Sequence, residues 1–424
     1  MKRAHLFSAT EPIALRNRAT LALALLTLAG CSPRQESGVS TTTRDSAGIT
    51  IVANSGELPS DGGGWALSAE PVLSIGTFQG DSLYALFEVQ GARRLANGRI
   101  ALANAGSGEI KVYGAEGEFI VSFGRKGEGP EEFQSPALVG VLPGDTLVVM
   151  DNQLRRITLL HPEEGFVESA RLSDDLGGGG FPRGMFADGS VVVGGGFYWS
   201  SDGGVELSSG FSRRATSYRS AGRNGELVTD FGEFPGAEFY MQVQSQGGGA
   251  VSMRARLIPF GKYSMQAVGP SLFYYGSGDS WEVKAFDTAG VLRRVYRMAV
   301  DPLTVREADL EAVIQEEIAE AADPARAPEI RAEHEEMPVP EFMPAFAGLE
   351  VDAQGFLWVE RYRPPSDERP EHDILDPEGV WVGRLSLPEG AEILEIGTDY
   401  LLALQRDELE VEYVKLYRLF RPDD

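Results

Sequence analysis

The run Gly91–Phe133, GARRLANGRIALANAGSGEIKVYGAEGEFIVSFGRKGEGPEEF, reads as one complete four-stranded antiparallel sheet. A first strand spans about Glu88–Leu95, and Asn97-Gly98, a pair that tolerates positive φ, reverses it through a two-residue turn into Ile100–Ala103. The loop Asn104–Gly108 leads to a third strand, Glu109–Tyr113, and Ala115-Glu116-Gly117 turns it into a fourth, Phe119–Phe123, which stops at Gly124. Labelling these strands a to d gives a template to lay over the rest of the chain.

Working outward, the a-to-b turns recur at Gly98, Gly144, Gly189, Gly269, Gly355 and Asp399, at steps of 46, 45, 80, 86 and 44 residues. Three steps have the length of a propeller blade, and each long one holds an insertion. The c-to-d turns, Gly117, Gly165, Gly225, Gly290 and Gly379, follow the same rhythm. The sixth unit, Glu392–Phe420, supplies a, b and c and then lacks d. Upstream, Val72–Gly76 (VLSIG) matches Val121–Gly124 of the template strand d and has no a, b or c before it. The expectation is an all-β, six-bladed β-propeller in which this N-terminal strand closes the last blade, so that no edge is left open.

The stretches ANAGSGEIKVYGAEGEF and GRKGEGPEEF resemble the bacterial six-bladed β-propeller lipoproteins related to NHL-repeat proteins, over about Ile49–Phe420. The N-terminus agrees. Arg16 and Arg18 precede an apolar run, Ala19–Leu28, too short to span a bilayer, and it ends in Leu28-Ala29-Gly30-Cys31, which resembles a lipobox. Cys31 is the single cysteine of the 424 residues. The resemblance implies cleavage after residue 30, lipidation of Cys31 and membrane attachment through that lipid. Ser32, which is not acidic, points to the outer membrane of the bacterial cell envelope. Residues 31–48 have the composition of a flexible tether and residues 49–424 form the propeller. Cleavage removes four cations and one acid, which takes the formal charge from −25 to −28. Such a field repels nucleic acid and anionic headgroups.

Four insertions depart from the template: Gly196–Gly210, Gly232–Lys262, Asp301–Ala345 and Arg361–His372. They lie at b-to-c and d-to-a connections, which emerge on one side of an up-and-down blade, so all four decorate the same face. Asp301–Ala345, between blades four and five, is the helical one. Thr304 and Glu307 have capping-box spacing, Leu310, Ile314, Ile318 and Ala321 form an apolar stripe, and a second helix covers about Pro328–Glu336. The insert-bearing face gathers Tyr198, Trp199, Phe239, Tyr240, Arg254, Arg256, Tyr362 and Arg363, aromatic and arginine side chains of the kind that anchor recognition surfaces. Trp199, Tyr240, Arg254, Arg256, Tyr362 and Arg363 are the expected ligand-binding residues.

Catalytic signatures are missing. There is no GxSxG, HExxH or EF-hand pattern, and Gly127–Glu132 (GEGPEE) lacks the lysine and the following helix of a phosphate loop. His161, His334 and His372 are scattered and read as surface residues. A resemblance to the calcium-dependent lactonases of six-bladed propellers would imply a channel metal held by carboxylates and asparagine of the innermost strands. Glu88 and Glu350 are candidate channel acids, but no matched Asp or Asn set accompanies them, and Arg93 and Arg183 place cations on the same strands. The reading is therefore a membrane-anchored binding or scaffold module for a peptide, glycan or protein, not an enzyme, with no metal or cofactor. The alternative is a lactonase-like propeller hydrolase.

Overall fold

The computed structural model describes residues 38–177, 180–194, 209–245, 251–365 and 370–422, all within one compact unit, Ser37–Asp424. They form six sheets. The first is the template stretch: Val89–Arg94, Ile100–Asn104, Glu109–Tyr113 and Phe119–Phe123 in sequential antiparallel order. Gly98 takes φ 84° at its turn, and its N–H donates to Leu95 O at 2.9 Å. Val72 and Phe123-type strand endings share the same device, since Gly76 and Gly124 both have positive φ.

Alternation along the second strand of the first sheet explains how the sheets assemble. Every residue of Ile100–Asn104 is buried. Ile100 and Leu102 point one way, into a cluster with Leu402, Leu404 and Val414 of the sixth sheet. Ala101 and Ala103 point the other way, toward Leu147, Val149 and Leu160 of the second. The same arrangement recurs. Val148 and Met150 meet Val191 and Val193, Val192 and Tyr218 meet Phe273 and Tyr275, Val283 and Ala285 meet Val359 and Leu375, and Trp358 and Ile374 meet Leu401 and Ala403. Six clusters join six consecutive sheets, and the last returns to the first, so the sheets close a ring. Each fully buried Leu, Ile or Val contributes about 1.5–3 kcal/mol.

The ring is closed as the VLSIG match anticipates. The sixth sheet consists of Glu392–Ile396, Tyr400–Arg406 and Glu412–Phe420. Leu73–Ile75 pairs antiparallel with Val414–Leu416, and Ala66–Leu67 pairs with Leu419 and Phe420. Just upstream, Trp65 is buried edge-on against Trp358, 5.6 Å between centroids, with the Arg421 guanidinium 4.9 Å above its ring. Glu412 stitches the sixth sheet to the first by accepting the Val89 N–H at 2.8 Å.

Four expectations are corrected. The stretch 31–48 is not tether throughout, because Ser40–Ser46 is a strand paired along its length with Ile49–Ser55. Ile49–Ser55 in turn runs parallel to Leu292–Met298, making the fourth sheet six-stranded. Ser and Thr suit an exposed edge strand as well as a linker, so composition does not separate the two. The insertion Gly232–Lys262 is mostly strand. In the third sheet Gly210–Ala221 and Leu227–Ser245 run on past Gly194, the end of the neighbouring strand, and Val251–Leu257 adds a fifth strand. Helices α1 (Glu307–Glu320) and α2 (Ala327–Glu335) follow the fourth sheet, but the cap of α1 is Arg306 with Asp309. The Arg306 N–H donates to Asp309 Oδ2 at 3.0 Å, while Thr304 bridges to Phe342. Finally, His334 and His372 are buried rather than surface residues, and His161 is half-buried.

Candidate functional site: the axial cavity and its overhang

Each sheet turns its first strand to the centre of the ring, and together these strands line one cavity of about 330 Å³. Most of its wall is backbone and aliphatic side chain, including Val139, Val141, Val268, Val351 and Ile393. Five titratable side chains interrupt it: Asp352, which is paired with Arg421 at 2.8 Å, and the four that concern the cavity interior, Arg93, Arg183, Glu350 and Glu395.

Two of these four satisfy each other. Arg93 Nε lies 4.0 Å from Glu395 Oε1, and its remaining N–H groups donate to wall carbonyls, Ala92 O at 2.8 Å, Leu394 O at 2.7 Å and Val139 O at 2.7 Å. Glu395 also accepts the Arg94 N–H at 2.7 Å and the Tyr400 hydroxyl at 2.9 Å. Burial raises its pKa, and Arg93 and these donors oppose that. The pair is thus a neutral tie across sheets one, two and six.

Glu350 is different. Its side chain reaches water inside the cavity and takes part in no hydrogen bond or ion pair among the described residues. The surrounding protein still strips enough solvent to push its pKa up to about 7, with Arg93 pulling it down and Glu360 adding to the rise. Arg183 lines the same cavity from the third sheet. Its Nε donates to Gly194 O at 3.0 Å, its guanidinium lies 5.7 Å from the centroid of the exposed Phe181 ring, and burial lowers its pKa. Arg183 also lines a second cavity of about 350 Å³ beneath the extended hairpin, with Tyr218, Glu233, Phe239, Tyr263 and Gln266. Together with Phe181 and Arg93, it lines a third of about 320 Å³. Arg183 is thus common to the linings of the axial space and the space under the hairpin.

The hairpin is held over this region by charge. Arg256 pairs with Glu317 of α1 and Glu333 of α2, and Arg254 reaches Glu333 at 2.7 Å. His334 Nε2 lies 2.8 Å from Glu317 Oε2, and Gln242 donates to Glu336 at 3.2 Å. Burial raises the pKa of Glu317, but its bonds to His334 and Arg256 outweigh that and hold it below the usual carboxylate range. The third insertion is therefore docked on the second. The fourth approaches as well, where the half-buried Tyr362 lies close enough to Tyr263 for burial and that neighbour to push its pKa up to about 12.

Of the expected ligand-binding residues, Arg254 and Arg256 are engaged in this clasp. Tyr240 sits opposite Arg256 in the strand register, and Arg363 lies 3.6 Å from Glu360. Trp199, with Tyr198, and the lipidation residue Cys31 lie outside the described residues. Of the two candidate channel acids, Glu350 is in the cavity, whereas Glu88 is exposed at φ 55° ahead of its strand and does not line it. Glu395 was missed. It could have been found by position, because Arg93, Arg183, Glu350 and Glu395 all fall four to six residues before an a-to-b turn.

The ring defines the class, a β-propeller. No family model and no curated protein matches the chain. Among solved structures, a Bacteroides fragilis protein described as exported is 12% identical at a TM-score of 0.47, covering 88% of this chain and 100% of its own. Regucalcin, a calcium-binding protein from Agrobacterium tumefaciens, is 12% identical at 0.37 over 80% of this chain and 92% of its own. A virginiamycin B lyase from Staphylococcus aureus is 9% identical at 0.38 over 84% and 99%. What this chain does has to be argued from its own cavity.

Proposed function

We propose that the chain is an exported, lipid-anchored six-bladed propeller that binds a peptide, glycan or protein ligand from its insert-bearing face, with the axial cavity receiving part of that ligand. The observation that carries this reading is the position of Arg183, which lines both the axial cavity and the space beneath the clasped hairpin. A hairpin fixed over an opening narrows what can enter it, which is a selective use of a loop. Tyr240, Tyr362 and Arg363 border this face as ligand contacts, Trp199 is assigned to it by sequence position, and Arg254 and Arg256 serve it by holding the hairpin. Attachment is assigned to Cys31, and no helix among the described residues is long and apolar enough to cross a membrane.

The calcium-dependent hydrolase reading has less support. Among the described residues no group of three or more His, Cys, Asp or Glu is placed to hold a metal. In the axial cavity Glu395 already faces the guanidinium of Arg93. A cation site needs several oxygen donors converging on one point, and among the described residues the other acids of the lining are already paired, Glu395 with Arg93 and Asp352 with Arg421.

Two alanine clusters test the binding face, Phe181 with Arg183 on one side of the ring and Asn97, Glu116 and Glu378 on the other. Ligand capture in the native envelope should be lost with the first and kept with the second, and the reverse pattern would place the site on the wrong face. Cys31→Ser should release the protein from membranes with its fold intact. A variant that still pellets with membranes contradicts the anchor.

A further inference from the structure

Exposed apolar side chains are concentrated away from the axial cavity. Among the described residues the three large ones most open to solvent are Leu409 (66%), Phe87 (64%) and Phe78 (61%), and they stand on two connections only. Residues 77–88 lead from Leu73–Ile75, the closing strand of the sixth sheet, to Val89–Arg94 of the first. Residues 407–411 join Tyr400–Arg406 to Glu412–Phe420 within the sixth. Both connections are rooted at Glu412. Its carboxylate accepts the Val89 N–H at 2.8 Å, just past the end of the first connection. Where that connection begins, a Cβ on Gly76 would lie 2.5 Å from Glu412 O. The second connection ends at Glu412 itself. At 3.8 Å per Cα step, these links keep the Phe87 and Leu409 backbones within roughly 28 Å of each other. None of the residues on either connection lines the axial cavity.

The sheets beneath hold these apolar tips outward. The buried Lys111 ammonium donates to Ser82 O, Leu83 O and Ala85 O at 3.3, 3.2 and 3.1 Å, and the Tyr113 hydroxyl donates to Leu83 O at 2.8 Å. The Phe87 N–H donates to Asn104 Oδ1 at 2.7 Å, and the Phe87 ring lies so close over Gly106 that a Cβ there would be 2.2 Å from it. In the other connection Asp407 Oδ1 accepts the N–H groups of Leu409 and Val411 at 2.9 and 3.1 Å. Directly after each tip comes a glutamate in the left-handed region, Glu88 at φ 55° and Glu410 at φ 60°. Residues with a Cβ hold that conformation at a cost, and only where their surroundings enforce it. Leu83 and Phe87 also wall a groove of about 410 Å³ with Phe119, Lys111 and Glu109, a volume within the range of ligand clefts.

Charge narrows what these tips can meet. The two connections carry Asp81, Glu88, Asp407, Glu408 and Glu410, all exposed, and contain no Lys, Arg or His. The cations packed beside them are engaged: Arg406 with Glu392 and Glu412, and Lys415 against the Tyr413 ring at 5.7 Å. The geometry points to a docking surface for a segment of another protein in which lysine or arginine is interleaved with large apolar side chains. The apolar side chains seat on Phe78, Phe87 and Leu409 and in the groove, and the cations face the five carboxylates. A bilayer is a poorer occupant, because Glu88 and Glu410 follow the two tips and would enter it with them. A second copy of the chain would set the same acids against each other. This surface is additional to the axial cavity and does not depend on a ligand there.

The test uses the full chain with Cys31→Ser, so that no lipid of its own binds membranes. The probe is an amphipathic peptide of leucine and lysine about 20 residues long, which spans about 30 Å as a helix. Controls are the same peptide with glutamate in place of lysine, the same composition scrambled so that no apolar face forms, and vesicles of phosphatidylcholine with or without phosphatidylglycerol. The amphipathic cationic peptide should bind about tenfold more tightly than either control peptide, and the vesicles should not bind. Phe87→Ser with Leu409→Ser should weaken the peptide about tenfold with the melting curve unchanged. Glu408→Gln with Glu410→Gln should weaken it about threefold, and Glu116→Gln with Glu378→Gln, on the opposite turns, by less than about twofold. Should the serine pair unfold, the contrast between the two glutamine pairs, which keep every apolar side chain, still decides. Equal loss in the two glutamine pairs means diffuse attraction to an acidic chain and overturns the site, as does undiminished binding by a folded serine pair. Vesicle binding that the serine pair abolishes would make a lipid surface the occupant and overturn the protein partner.

Discussion

The ring and the structure built above it are held together by different physics. Between sheets, contacts such as Leu102 on Leu404 and Val149 on Ala103 are apolar and fully buried. Between the extended hairpin and the helices, the contacts that fix position are those of Arg254 and Arg256 with Glu317 and Glu333, and His334 ties α2 to Glu317 of α1. Hydrophobic packing tolerates salt and a wide pH range, whereas ion pairs weaken with screening and protonation. The overhang should therefore loosen under conditions that leave the ring intact, which suits a part that admits a ligand over a part that supports it.

The largest effect expected is on the ring itself. Deleting 67–76 removes Leu73 and Ile75 from the cluster they share with Val414 and Leu416 and exposes the edge of Glu412–Phe420. Two such side chains are worth about 3–6 kcal/mol together, before the cost of an open edge, so the whole domain should lose most of its stability. A deletion that melts like the intact protein would show that closure is not what holds the ring.

Next comes the clasp. Arg256→Ala removes one of the two guanidinium partners of Glu333, whose side chain is 10% exposed, and leaves it to Arg254, so the cost should fall below the roughly 3–5 kcal/mol of stripping a buried charge of its partner. The loss should be local: amide exchange in 252–257 should accelerate while the ring melts as before. Equal losses in both regions would erase the distinction between them.

The third prediction concerns His372, which belongs to the ring. It is buried beside Trp358, 6.3 Å between ring centroids, and burial, with a smaller contribution from Arg363, pushes its pKa down to about 4. As pH falls below the ordinary histidine value near 6.5, the unfolded chain takes up a proton that the folded chain refuses. Stability should fall by about 2–3 kcal/mol between pH 7 and pH 4.5 from this residue, and His372→Phe should flatten that slope. An unchanged slope in denaturant titrations would mean the proton is taken up elsewhere.

The smallest effect is at Glu350. Its raised pKa means the unfolded chain ionises first as pH rises from about 4.5, so folding carries a cost that is complete above about 7. Glu350→Gln should stabilise the protein at pH 8 and be near neutral at pH 4, by on the order of 1 kcal/mol once screening by cavity water is allowed for. Destabilisation at pH 8 would mean the carboxylate is held by a favourable contact.

The ring was more legible in the sequence than the overhang, for the same physical reason. Turns such as Asn97-Gly98 need a residue that accepts positive φ, and strand endings such as Gly76 and Gly124 need glycine, so the repeat and its closing strand leave a signature in residue identity. The hairpin leaves none. Gly232–Lys262 mixes glycines, prolines and charges like a loop, and only its pairing partner, Gly210–Ala221, makes it a strand. Arg254 and Arg256 looked like recognition residues because a cation on a decorated face looks the same whether its carboxylate comes from a ligand or from Glu333. His372 and His334 gave no sign of burial, since that depends on neighbours distant in sequence. The cavity charges are half visible: Arg93, Arg183 and Glu350 stand on first strands, while Glu395 sits in the sixth unit, whose incomplete strand set masks its place in the repeat.

The central claim, that ligand enters the axial cavity from the side of the hairpin, is tested most directly by photocrosslinking in the native envelope. A photoreactive amino acid would replace Phe181, 54% exposed at the cavity lining, and in a parallel strain it would replace Asn97, on the opposite turns. The prediction is one recurrent adduct at 181 that is lost when Arg183 is also changed to glutamine, and none at 97. An adduct at 97 alone, or at both positions alike and indifferent to Arg183, would contradict it.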